Sequence, residues 1–333
     1  MINIFRALAA SLLLIFGAAD AANLDKAAVD AFIGELVTND GFDAAELTRI
    51  FEKAQRSKRI LKAMSRPAEK SKPWHEYRKH FLTDLRIAGG IEFWNTHAET
   101  LHRATDVYGV PPEIIVAIIG VETAYGKITG GDQVVDALST LAFHYPKGNV
   151  RRMTFFRAQL RQLFLMSREQ DLDPLELKGS YAGAMGIPQF MPESYRKFAV
   201  DFNDDGERNI WKDRSDAIGS VANYLKSHGW SRGGPIVLPA STSNSKVDEL
   251  LTDSVKPNRR LSDFATHGVT TSALEADELA ALFTLEGEAS LEYWLALNNF
   301  YAIMKYNPRT KYAMAVVKLA EAIRNARLAQ QMS

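Results

Sequence analysis

The chain has 333 residues, 46% hydrophobic and 24% charged, with 40 Lys plus Arg balanced by 40 Asp plus Glu. Such a chain is globular and long enough for two or three structural units, and its charge balance excludes the overall basic field used to bind nucleic acid. It has no cysteine, which excludes disulfides and a lipid-modified cysteine.

The first residues read as an address. Arg6 follows a short polar start, and Leu8 to Phe16 is an apolar run too short to span a bilayer comfortably. Ala19-Asp20-Ala21 has the small-x-small form of a cleavage site. Residues 1–21 are therefore expected to be a signal peptide exporting a soluble chain, with an uncleaved anchor as the alternative. Residues 22–105 predict helices. Val29, Phe32, Ile33 and Leu36 fall at helical spacing, as do Leu47, Ile50 and Phe51 after a turn in which Asp43 can cap. Pro67 and Pro73 punctuate a linker-like stretch, and Trp74, Tyr77 and Phe81 begin a helix that Gly89-Gly90 is expected to interrupt. His75, His80, His97 and His102 are irregularly spaced without framing carboxylates, so they are not read as a metal site.

Pro111 to Gly126, PPEIIVAIIGVETAYG, predicts a helix with prolines at its start, Glu113 in its first turn and Gly126 as a stop. Glu122 shares a face with Ile115, Ile118 and Ile119. Apolar surroundings and the negative end of the helix dipole both push its pKa upward, as a general acid requires. A buried Glu satisfied by a Tyr, an Arg or a backbone group fits the same pattern. Helices are expected over Ala137–Tyr145 and Arg151–Met166. Lys178 to Tyr195, KGSYAGAMGIPQFMPESY, then combines glycines with hydroxyls, an amide and aromatic rings suited to an uncharged polyol; a Gly-rich turn between helices is the plainer alternative.

In DFNDDGERNIWKDRSD, Asp201, Asn203, Asp205, Gly206, Glu207 and Asn209 occupy positions one, three, five, six, seven and nine of an EF-hand loop. Lys212 stands where the bidentate Glu belongs, so Asp213 or Asp216 must reach back from a lengthened loop. A calcium-free acidic turn is the alternative. Helical periodicity resumes over Ala217–Trp230, a mixed segment with short strands follows from Gly233 to about Glu288, and Tyr293 to Ala329 is expected to be helical with a break at Tyr306-Asn307-Pro308.

Together VETAYG, GSYAGAMGIPQFMPESY, DFNDDGERNIW, AIGSVANYLKSHGW and NNFYAIMKYNPRTKYAMAV, in that order, resemble the membrane-bound lytic murein transglycosylase B family across nearly the whole mature chain. The resemblance implies a mainly α, α+β fold: an N-terminal helical domain over 22–105, a lysozyme-like core over 106–232 with its EF-hand-like loop at 201–216, a small β-containing insertion over 233–288, and a helical segment over 289–333. It also implies cleavage of peptidoglycan glycan strands between N-acetylmuramic acid and N-acetylglucosamine, leaving 1,6-anhydromuramyl ends, with Glu122 as single acid and base. Ser180, Gln189, Tyr224, Tyr306, Asn307 and Tyr312 fall on saccharide-cleft positions. Asp201, Asn203, Asp205, Glu207 through its carbonyl, and Asp216 fall on a structural Ca2+ loop, the inserted residue standing before the last. No organic cofactor or nucleic-acid partner is expected; a periplasmic location and contact with the cell-wall synthesis machinery are. A lysozyme-type hydrolase and a non-catalytic wall-binding protein remain the alternatives.

Overall fold

The computed structural model describes residues 23–65, 72–242, 247–252, 255–271 and 277–332. The expected signal segment, Pro67 and the end of the polar loop over 241–245 lie outside them.

The chain begins with paired helices α1 (Lys26–Asp40) and α2 (Ala44–Lys53). Asp25 accepts from the Ala28 N–H at 3.2 Å and Asp43 from that of Glu46 at 2.7 Å, so each helix starts on a carboxylate cap. Next come α3 (Lys58–Ser65), α4 (Trp74–Tyr77), α5 (Asp84–Thr96), α6 (Ala98–Tyr108) and α7 (Pro112–Thr123). Gly89-Gly90 does not interrupt α5, contrary to the sequence expectation. A Cβ at Gly90 would collide with the side chains of Ile323 and Tyr125, so these glycines admit neighbours rather than break the helix.

Strand β1 (Asp132–Gln133) leads into the hairpin of α8 (Val134–His144) and α9 (Val150–Glu169); β2 (Lys178–Gly179) returns antiparallel to β1, and α10 (Pro192–Phe198) and α11 (Arg214–Ser227) follow. The remaining elements are β3 (Val237–Thr242), β4 (Arg259–Arg260), α12 (Leu261–Thr266), β5 (Val269–Thr271), β6 (Leu279–Glu286), β7 (Leu291–Ala296), α13 (Asn298–Tyr306) and α14 (Thr310–Met332). An antiparallel sheet orders five strands as β4-β6-β7-β3-β5. It corrects the helical expectation from Tyr293 onward: Tyr293 pairs with Ala240 and Thr284, and the helix starts only at Asn298. Six residues whose burial rises toward the helix start, without alternation, carried no strand period to separate the two.

Packing follows the apolar stripes. Phe32, Phe51, Phe143 and Phe164 join α1 and α2 to the α8–α9 hairpin, with Phe51 and Phe164 rings 5.5 Å apart. A second core gathers α7, α11, α13 and α14, and within it every residue from Ile114 to Gly120 is buried. Tyr306 packs against both cores, so the end of α13 lies where they meet. The sheet covers a smaller cluster that includes Leu250, Phe264, Leu282 and Leu295.

Asn299 ties α13 to the crossing between α11 and β3. Fully buried, it accepts from the Ser231 N–H and donates to the Ser231 and Gly234 carbonyls, each at 2.8 Å. Asn299→Ala would orphan three backbone groups and should cost about 2–3 kcal/mol, read as a lowered urea midpoint at unchanged slope.

Candidate active site

Glu122 occupies the last turn of α7, with a small part of its surface exposed. Burial raises its pKa from the ordinary 4.5 to about 7, against the opposing effect of a 2.5 Å hydrogen bond that the Tyr312 hydroxyl donates to Oε1. Tyr312, 3% exposed, comes from α14 and belongs to the second core. The carboxyl therefore holds its proton near neutrality, and when it ionises a single phenol stands ready to stabilise the charge.

The helix ends earlier than Gly126. Ala124, Tyr125 and Gly126 all lie in the left-handed region, with φ of 50, 64 and 81°. Thr123 accounts for the fixed course of this turn. Its buried Oγ1 donates within reach of the Ile119 and Ile187 carbonyls, at 3.2 and 2.9 Å, and accepts from the Gly126 N–H at 3.0 Å. The same Ile187 opens the bond from α7 to the Gly-rich segment. Spacing gave no sign of this role for Thr123.

That segment adjoins the end of α7 and makes a wall beside Glu122. Ser180 Oγ accepts from the Ala182 and Ala184 N–H groups at 3.3 and 3.1 Å, closing the glycine turn. Gln189 has φ 54°, and its Nε2 reaches the Thr129 and Gly186 carbonyls at 3.0 and 2.9 Å, stitching the loop after Glu122 to the Gly-rich turn. Tyr306 donates to the Pro188 carbonyl at 2.6 Å, and Tyr224 to the Lys305 carbonyl at 2.6 Å. Their rings lie 4.7 Å apart. Burial pushes the Tyr224 hydroxyl up to about 12; burial, then the Glu122 charge, keeps those of Tyr306 and Tyr312 well above the phenol range. These phenols stay protonated donors. Asn307 caps α13 in extended conformation, and its carbonyl accepts from the Arg309 N–H at 2.7 Å.

The structure thus brings Glu122, Tyr306 and Tyr312 together, with Gln189 and Tyr224 supporting the wall through backbone carbonyls. Tyr77 joins them, although its sequence setting marked it only as part of a helix start. Burial raises its hydroxyl, Arg309 opposes, and the Glu122 charge raises it further. An aromatic triplet with Trp74 and Phe81 gave no way to distinguish that hydroxyl from a core ring.

The acidic loop is separate. Asp201 accepts from the Asp205 and Gly206 N–H groups at 3.2 and 2.8 Å, Asp205 from that of Glu207 at 2.9 Å, and Gly206 makes its turn at φ 91°. Asp216 is fully buried and does reach back: Oδ1 accepts from Phe202 N–H and Oδ2 from Asn209 N–H, both at 2.7 Å. Asp213 caps α11 through Oδ1 and turns Oδ2 toward Asn203 Nδ2 at 2.9 Å. Burial raises the Asp216 pKa, the two N–H bonds lower it, and Asp213 and Asp201 raise it again. The described His, Asp and Glu side chains form no ready cage of three or more. Even so, hard carboxylate and amide oxygens concentrated around a glycine turn are the donor chemistry that suits Ca2+.

The transglycosylase SLT domain model matches residues 25–321. Membrane-bound lytic murein transglycosylase B of Escherichia coli is 43% identical over 307 residues, covering 89% of this chain and 82% of that protein. The soluble lytic transglycosylase SltB1 from Pseudomonas aeruginosa superposes with a TM-score of 0.85 at 49% identity, over 90% of this chain and 99% of that one. The Escherichia coli lytic transglycosylase Slt35 in complex with calcium gives 0.81 at 43%, over 90% and 94%.

Tyr312→Phe removes the bond that opposes burial, so the Glu122 pKa should rise above its value of about 7. A carboxyl 13C NMR titration of Glu122 checks this, and a downward move would mean that the phenol does not stabilise the ionised form.

Proposed function

The chain belongs to the transglycosylase SLT domain family and is a lytic transglycosylase acting on peptidoglycan, and on that premise we propose that Glu122 alone serves as acid and then base. One observation carries this reading. Glu122 ends the buried apolar run of α7 with the Tyr312 hydroxyl on its Oε1 at 2.5 Å, burial keeps its carboxyl protonated near neutrality, and the neighbours named around it, Tyr77, Tyr306 and Tyr312, are phenols. Glycosidases that work with two carboxylates hold them ~5 to 10 Å apart across the scissile bond.

Glu122 gives its proton to the glycosidic oxygen between N-acetylmuramic acid and N-acetylglucosamine as the bond from C1 to that oxygen breaks. The resulting carboxylate, supported by Tyr312, takes the proton of the muramyl C6 hydroxyl as its oxygen bonds to C1. A 1,6-anhydro ring forms, and no water is consumed. The nucleophile belongs to the substrate, so it starts with the proximity advantage of an intramolecular reaction. Ser180, Gln189, Tyr224, Tyr306 and Asn307 line the saccharide cleft in this reading, Gln189 and the two tyrosines holding the backbone on which the sugar rests. Glu122 must begin protonated, so activity is full below about pH 7 and falls as pH rises through that value.

The acidic loop supports a structural Ca2+ held by Asp201, Asn203, Asp205, the Glu207 carbonyl and an acidic side chain after the loop. Asp216 was the expected last ligand. Its two backbone bonds favour a role in closing the loop, and Asp213 Oδ2, which meets Asn203 of the loop, is the other candidate. Bound there, the ion would neutralise the crowded carboxylates. We also carry over the divisions drawn from sequence, residues 22–105, 106–232, 233–288 and 289–333, with the insertion extended to Ala296 by β7 so that the last begins at Leu297, and with the two helical cores crossing the boundary at 105. Among the described residues no single helix is long and apolar enough to cross a membrane. The N-terminal pattern supports export to the periplasm as a soluble enzyme, where the cell-wall synthesis machinery is a fitting partner.

Mass spectrometry of peptidoglycan digested by the mature protein and by Glu122→Gln tests the chemistry. The first should release anhydromuramyl products and the second about a thousandfold fewer. Hydrated products would make it a hydrolase. Thermal melting with and without a chelator tests the ion: the midpoint should fall by a few degrees, and an unchanged midpoint would count against an occupied site.

A further inference from the structure

Three features remain outside this chemistry: the Gly89-Gly90 pair inside α5, Gly120 inside α7, and the left-handed Tyr125 after Glu122. They meet at one place. A Cβ at Gly120 would lie 2.7 Å from Tyr125 Cε1 and its hydroxyl oxygen, one at Gly90 2.8 Å from that oxygen, and one at Gly89 3.0 Å from Cε2. Two helices thus give up side chains at three positions to make a slot for one ring, which is 8% exposed. Inside the slot the Tyr125 hydroxyl donates to the Arg86 carbonyl at 2.7 Å. The Arg86 guanidinium in turn donates to the Gly120 carbonyl, two residues before Glu122. So α5 grips the end of α7 on both sides of the acid.

This grip meets a physical need. The carbonyls of a helix's last turn lack onward N–H donors, so the turn frays, and a tyrosine with φ 64° is strained where glycine would not be. A ring filling a slot cut for it holds that conformation. We propose that Tyr125, seated between Gly89, Gly90 and Gly120 and tied to Arg86, is a positioning residue that fixes the Glu122 carboxyl against the glycosidic oxygen. The proposal rests on the reading of Glu122 as the acid. Tyr125 acts through the backbone and not on the sugar. The groups facing Glu122 itself are Tyr77 from α4, Tyr306 at the end of α13 and Tyr312 from α14; Arg86 is the charge beside Tyr125.

The test measures kcat, KM and the pH dependence of kcat on soluble glycan strands for the mature protein, Tyr125→Leu, Tyr125→Phe, Gly120→Ala and Glu122→Gln. A displacement near 1 Å at the reacting groups costs about a hundredfold in rate, so Tyr125→Leu should lose that much kcat with KM within about twofold. Its fall in activity at high pH should also begin at lower pH, because water reaching a loosened carboxyl favours ionisation. Tyr125→Phe keeps the ring in the slot and should stay within about tenfold of the parent. Gly120→Ala guards against a misfolded Leu variant: alanine suits a helix interior better than glycine, yet its methyl displaces the ring, and the same kcat loss is expected. Full kcat in folded Tyr125→Leu or Gly120→Ala overturns the proposal, as does a loss of rate with the high-pH limb unmoved. Full activity of Glu122→Gln would instead remove the acid on which the proposal depends.

Discussion

A carboxyl taken out of water at the end of a packed helix is the condition around which this site is arranged. Moving the Glu122 pKa from 4.5 to about 7 disfavours its charged form by roughly 3 kcal/mol. An unfolded chain releases that proton from about pH 4.5 upward, while the folded one keeps it until about pH 7. Folding stability therefore falls across that interval and stays lowered above it. Against a net stability of about 5–15 kcal/mol this is a large local cost, and it is borne by the unbroken apolar packing of Ile114 to Gly120. The Tyr312 bond offsets part of it. A phenol is suited to this task because its own proton is held tightly, so it supports the carboxylate without competing to protonate it.

The rest of the chain explains why that carboxyl stays where it is. The α1–α2 pair and the α8–α9 hairpin make a core of their own, and the Gly-rich wall grows from its edge between β2 and α10. Tyr195, 1% exposed, donates to the Arg208 carbonyl at 2.6 Å and so locks the acidic loop to α10. The surface ion pair of Arg157 with Glu35 joins α9 to α1, and that of Lys26 with Asp30 lies within α1, but exposed pairs contribute at most about 1 kcal/mol each. Alignment of the two walls depends on aromatic packing and buried backbone bonds instead.

Much of this was legible in the chain. Glu122 stood out because a charged residue broke an apolar helical run, and the acidic loop because oxygen-bearing residues alternated around Gly206. Capping by Asp43 followed from the local pattern alone. Interactions between distant segments were not legible in the same way. Gly89-Gly90 read as a break because a glycine pair weakens a helix locally, while its use, making room for Tyr125, depends on a contact across more than thirty positions of sequence. Tyr293 fell to the wrong element because β7 owes its identity to partners in β3 and β6. Tyr77 read only as part of a helix start, because a ring near other rings in sequence says nothing about which hydroxyl faces a charge.

The proposed use of one carboxyl for both proton transfers also bears on what the cleft excludes. After the first transfer Glu122 is ionised, and after it takes the C6 proton it is protonated again, so the cycle closes without drawing a proton or a water from solvent. A two-carboxylate hydrolase must admit water to the sugar face; this scheme gains from keeping it out. Dryness and a raised pKa then have the same origin, because the packing that removes water from the cleft wall is the packing that desolvates the acid. Loosening that wall would cost twice, ionising Glu122 too early and admitting a competing nucleophile to C1.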